Sequence, residues 1–85
     1  MKLPIIKQLV SFVEEHDEDY LLETAETLES ICEVSTLKDN ELDTIGEIIS
    51  NIYGALEVSN EIQKGTPKKE AMNAFMSRVL SSIDK

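Results

Sequence analysis

The sequence is short of the residues that usually carry chemistry. It has one cysteine, Cys32, so an internal disulfide is impossible. It has one histidine, His16, which cannot build a histidine-rich zinc site. There is no tryptophan, and aromatic residues make up only 5% of the chain. Its three glycines do not form the glycine-rich loop that feeds a phosphate to a helix N-terminus. Basic residues are few as well, with eight lysines and arginines against seventeen acids for a net charge of −9. Such a balance argues against nucleic acid and anionic membrane surfaces as partners, since both need clustered cations. No apolar run approaches the roughly 20 residues that cross a bilayer. Residues 1–13 lack a small-residue cleavage site and are broken by Lys7, so no signal peptide is expected. A lone thiol suits a reducing compartment, and the expected location is the cytoplasm.

At 85 residues the chain should form a single domain, residues 1–85. Domains of this size bury only about 60% of their unfolded surface, less than larger ones, and often lean on a disulfide, a metal or a second subunit. With no disulfide possible, self-association is the supplement this sequence favours.

Hydrophobic periodicity is abundant, and all of it is helical. The chain is organised around residues 39–56, DNELDTIGEIISNIYGAL. There Leu42, Ile45, Ile49, Ile52 and Leu56 recur at steps of three and four, the spacing of one helix face, with Ile48 and Tyr53 beside them. Ile49, in the middle, is expected to be fully buried. Gly46, Ser50 and Gly54, spaced by four, form a row of small residues along one edge. Glycine in a soluble helix costs about 1 kcal/mol against alanine, so close approach of a neighbouring helix is the expected reason for the row. Past Leu56 the stripe turns polar at Ser59, Asn60 and Gln63, while Val58 and Ile62 emerge on a different side. The third helix is nonetheless predicted to continue to about residue 63.

Around it the spacing predicts three shorter helices. Pro4 suits a first turn, and helix one covers 3–15, with Ile5, Ile6, Leu9, Val10, Phe12 and Val13 on one broad face. Helix two covers about 18–33, capped by Asp17. Tyr20, Leu21, Ala25, Leu28, Ile31 and Cys32 form its apolar side, and Glu23, Glu26, Glu29 and Glu33 an acidic one. Leu22 is stranded on that acidic side. Leu37 and Leu42 suit a hydrophobic staple at the start of helix three. Gly65 is a stop signal, and Thr66 with Pro67 opens helix four over 67–83, with Met72, Phe75, Met76, Val79, Leu80 and Ile83 on its face. No strand signal is present. The expected class is all-α: four amphipathic helices in a small antiparallel bundle around a long third helix.

Motifs for chemistry are scarce. The run EEHDED at 14–19 gathers carboxylates around His16, but it lacks calcium-loop spacing and a central glycine, and it reads as a solvated helix junction. Cys32 lies on the predicted core face, where burial and nearby carboxylates make a thiol inert. Met72 and Met76 read as core filler. No catalytic, cofactor-binding or metal-binding residue is expected, nor any cofactor, and the chain does not read as an enzyme.

The segments KLPIIK, LKDNELDTIGEIISNIYGALEV and KKEAMNAFMSRVLSSIDK resemble a small, uncharacterised bacterial family of all-helical proteins of about this length, with no assigned activity. The resemblance spans nearly the whole chain and carries no functional residues with it. It implies a setting beside thioredoxin-like and peroxiredoxin proteins, hence a regulatory or ligand-binding accessory role in a redox system. No residue of this chain supports that implication independently.

The reading the residues favour is a small cytoplasmic protein that acts through protein–protein contacts, as a homodimer and with a possible further protein partner. The candidate interface is Leu22, Gly46, Ser50, Gly54, Val58 and Ile62, with the distal half of helix three near the dimer axis. Acidic faces should point outward, leaving a hydrophobic contact little weakened by salt.

Overall fold

A computed structural model describes the backbone of residues 2–83 and the side chains of residues 2–79. The protein is all-α, with α1 at Leu3–Glu15, α2 at Asp19–Ile31, α3 at Asp39–Gln63 and α4 at Lys68–Ile83. There is no strand among the described residues. Each of the shorter helices packs chiefly on α3.

The helix ends follow local chemistry. Pro4 lies in the first turn of α1, where a missing N–H is harmless. The N-cap of α2 is Glu18 and not the expected Asp17, and it makes no side-chain cap; Asp17 Oδ1, one residue earlier, accepts from the Asp19 backbone N–H at 3.2 Å. At the head of α3 the Glu41 carboxylate accepts from the Lys38 backbone N–H at 2.9 Å, half of a capping box. At its tail Gly65 takes φ 111°, a left-handed conformation that costs glycine little. That conformation lets Gly65 N–H reach the Ile62 carbonyl and Thr66 N–H reach the Glu61 carbonyl, the paired bonds of a Schellman stop.

The core is formed by Ile6, Val10 and Val13 of α1, Leu21 and Ala25 of α2, Ile52, Ala55 and Val58 of α3, and Ala71, Met72 and Phe75 of α4. Its centre on α3 is therefore the C-terminal half. Long-range polar ties show how the other helices lie along that half. The Lys2 backbone N–H donates to Asn51 Oδ1 at 3.1 Å, at the start of α1. Lys68 Nζ meets Glu14 at 2.7 Å where α1 ends and α4 begins. Together they set α1 alongside α3 in the same sense. α2 then turns back, and the Tyr53 hydroxyl donates to Glu29 near its far end. α4 turns back on the other side, with Arg78 paired to Glu57.

Two expectations are corrected here. Ile49 is half-buried and lies outside the core. On the predicted stripe Ile52 is buried in the core and Leu56 packs against it, whereas Leu42, Ile45 and Ile49 lie on the N-terminal half of α3, which the core does not reach. Where the core does cover α3 it also takes a second face, Asn51, Ala55 and Val58, roughly 100–140° round the axis from the stripe. Cys32 is likewise half-buried, at the C-terminal cap of α2 and outside the core. Of the side chains expected on the inner face of α4, Leu80 and Ile83 lie outside the described residues. Ile5, Tyr20 and Ile31, expected on apolar faces, are 41%, 56% and 41% exposed.

Candidate interaction site

Because α1, α2 and α4 all pack on the C-terminal half of α3, its N-terminal half projects past them. Among the described residues, the 32–38 connection runs beside it, with Leu37 against Asn40, Glu41, Thr44 and Ile45. From residue 26 to residue 50 no residue is buried. Yet this stretch is rich in aliphatic side chains. Val34 is 51% exposed, Ile48 44% and Ile31 41%. Leu37, Leu42, Ile45 and Ile49 are half-buried. Leu37 and Ile45 also line a shallow groove of about 330 Å³ between the connection and the helix.

The charges on this arm are segregated. By helical spacing, Asp39, Asp43 and Glu47 lie on the side opposite Ile45, Ile48 and Ile49. Glu41 falls nearer the apolar side, where its carboxylate is held by the Lys38 backbone N–H. The arm thus offers an apolar strip with Asp39, Asp43 and Glu47 turned away and Glu41 on the strip's own side.

The residues singled out from sequence do not form one surface. Val58 is 1% exposed and belongs to the core of its own chain, so it offers nothing to a second copy. Ile62 is half-buried against the same core. Both emerge on a different side of α3, as their spacing implies, but α1 and α4 cover that side from within the chain. Gly54 is buried, Gly46 is half-buried and Ser50 is exposed. A Cβ added at Gly46 would meet no atom within 4 Å, so the small-residue row is not one continuous close contact. Leu22 is 38% exposed on α2.

Sequence reasoning missed two features. Asn51 is 1% exposed, with its amide satisfied on both sides: Oδ1 accepts from Lys2 N–H and Nδ2 donates to the Glu47 carbonyl at 2.8 Å. Nothing in the pattern of large apolar residues marks it. The second is the α1–α2 corner. His16 stacks on Phe12 with ring centroids 4.1 Å apart, and Tyr20 packs edge-on to both rings. His16 Nδ1 lies 3.1 Å from the Phe12 carbonyl, as a donor in that tautomer. The spacing of four between these three residues could have announced the stack. No group of three metal-ligating side chains is present among the described residues, the EEHDED run included. No helix is long and apolar enough to cross a membrane, among the described residues.

The Tyr53 phenol is pushed above its ordinary value of 10.0, first by its hydrogen bond to Glu29, then by desolvation and by the charges of Glu29 and Glu26. This tie sits where the arm leaves the packed body.

The chain belongs to a family of unknown function, DUF6952, whose sequence model matches residues 1–84. It has no match among curated proteins or among solved structures.

Proposed function

We propose, with membership of this family as the premise, that the protein is a non-catalytic interaction module that pairs with a second copy of itself through the α3 arm. One observation carries this reading: residues 26–50 hold a run of large aliphatic side chains and not one of them is buried. Isolated exposed aliphatics are ordinary, but a continuous strip of them marks a contact surface. Two arms laid together about a two-fold axis would cover Ile45, Ile48 and Ile49 on both copies, with Val34 at the edge. Asp39, Asp43 and Glu47 of each arm would face solvent, which limits the repulsion between two chains of charge −9. The interface thereby moves from the distal to the proximal half of α3. The contact is hydrophobic, so added salt changes it little.

The redox setting implied by the family resemblance rests on no side chain here, since the single thiol sits half-buried at the end of α2. A cytoplasmic location remains part of the proposal and is supported by the lone cysteine alone.

Sedimentation at micromolar concentration tests the pairing. Wild type is expected to run as a dimer, and Val34→Asp with Ile48→Asp as a monomer of unchanged helicity, because both side chains are exposed. A monomeric wild type, or a dimer indifferent to both substitutions, would overturn the proposal.

A further inference from the structure

A second surface differs in kind from the arm. Between α1 and α4 lies an open groove of about 560 Å³, within the range of small-molecule sites. Leu3 and Met72 supply its apolar floor, Lys7, Lys68 and Lys69 its rim, and Ser11 a hydroxyl at one end. Among the described residues no acid lines it, although acids outnumber bases seventeen to eight in the chain. Three of the eight bases therefore converge on one concavity of an acidic protein. Lys68 is occupied by Glu14 at 2.7 Å. Lys7 and Lys69 are exposed and make no ion pair among the described residues.

The placement gives the groove a direction. Leu3, Lys7 and Ser11 follow one another at spacings of four along α1, spanning about 12 Å. Opposite them on α4, Met72 lies one turn beyond Lys68 and Lys69. Lys7 stands midway between Leu3 and Ser11, and Lys68 and Lys69 lie towards the Ser11 end, where Lys68 meets Glu14. Lysine ammonium groups attract an anion as point charges at no fixed angle, which suits a small head group that need not be read bidentately. The geometry points to a small amphiphilic anion as the occupant: a carboxylate held between Lys7 and Lys69, with an aliphatic body on Leu3 and Met72. The site is independent of the α3 arm, and its occupancy does not require a dimer.

Decanoate, below its micellar concentration, is the probe. Amide shifts of the isotopically labelled protein should move around residues 3–11 and 68–73 on titration. Decanol should bind about tenfold more weakly or less well still, and decyltrimethylammonium should leave these signals in place. Lys7→Gln with Lys69→Gln should weaken decanoate by about tenfold, the loss of two partly solvated ion pairs. Its melting temperature should hold, because both side chains are exposed. Equal binding of decanoate and decanol would overturn the proposal, and so would undiminished binding by the double variant. Inorganic phosphate binding as tightly as decanoate would show a bare anion site, and a hexaglutamate peptide binding more tightly would show an acidic-peptide site. Either result would replace the amphiphile.

Discussion

Ile49 and Ile52 are three residues apart on one helix, and their surroundings differ sharply. Ile52 is 3% exposed in the core, while Ile49 is half-buried on the arm. The C-terminal half of α3 is gripped by three helices, and much of what it buries is small or polar: Asn51, Gly54, Ala55 and Ser59. The N-terminal half carries the larger aliphatics and, among the described residues, has the 32–38 connection beside it. Small residues let three neighbours approach one helix closely, whereas large ones serve a face that a single broad partner covers. Within α3, therefore, a side chain's burial is set by which half of the helix it lies on and not by its size: Ile52 and Val58 are buried in the C-terminal half, while Ile48 and Ser50 are exposed in the N-terminal half.

The largest effect that could break this comparison comes from truncating the two isoleucines. Ile52→Ala should cost about 2–5 kcal/mol through lost transfer energy and the cavity it leaves. In a domain this small each kcal/mol lowers Tm by about 4–8 °C. Ile49→Ala in the monomer should cost only about 1 kcal/mol, since a half-buried side chain leaves no closed cavity. Thermal unfolding at low protein concentration measures both. Equal losses would mean the arm is as tightly packed as the body.

Asn51→Ala comes next. It orphans the Lys2 N–H and so loosens the start of α1, at a cost of about 1–3 kcal/mol. Ser50→Ala, one residue away but exposed, should fall within about 0.5 kcal/mol of wild type. Chemical denaturation of the pair reads the difference. An Asn51→Ala variant as stable as Ser50→Ala would show that this buried amide holds nothing.

Much of the architecture was legible in the sequence. The stops at Glu15 and Gln63, the Gly65 turn and the all-helical class follow from proline, glycine and periodicity, which act locally. That α3 has two faces was also legible, from Val58 and Ile62 leaving the stripe. What covers each face was not. An amphipathic stripe states that something packs there, but it is silent on whether that is a helix of the same chain or another molecule. Periodicity weighted by large aliphatics therefore extended the core from Ile52 and Leu56 onto the arm, and it passed over Asn51 and Ala55, whose burial depends on neighbours brought from distant parts of the chain. The lysine groove escaped for the same reason: Lys7 lies far from Lys68 and Lys69 in sequence.

Glycine sharpens the contrast on a smaller scale. Gly46, on the arm, has open space where a Cβ would go. Gly46→Ala should stabilise the monomer by about 0.5–1 kcal/mol, because alanine loses less entropy in a helix. Gly65→Ala should destabilise, since φ 111° is strained for any side chain. Their melting temperatures should shift in opposite directions. If sedimentation shows that Gly46→Ala also weakens the dimer, two arms approach closely at that point.

The smallest expected effect lies at the junction of body and arm, in Tyr53. Its hydroxyl donates to Glu29, and this bond is the chief cause of a phenol held above 10.0. A raised value means that losing the proton is harder in the folded chain than in the unfolded one. The stability tied to the protonated phenol is therefore fully present below the unfolded value of about 10 and is lost as pH rises through the folded value. Tyr53→Phe should leave stability at neutral pH nearly unchanged, because the side chain is 43% exposed and water replaces the bond. At alkaline pH the variant should lose stability less steeply than wild type. Subtracting the tyrosinate absorbance titration of the variant, which retains Tyr20, from that of wild type isolates Tyr53. A midpoint above 10 is expected. A midpoint at the ordinary value would mean that the far end of α2 is not tied to α3, and the boundary between body and arm would then lie further along α3 than Tyr53.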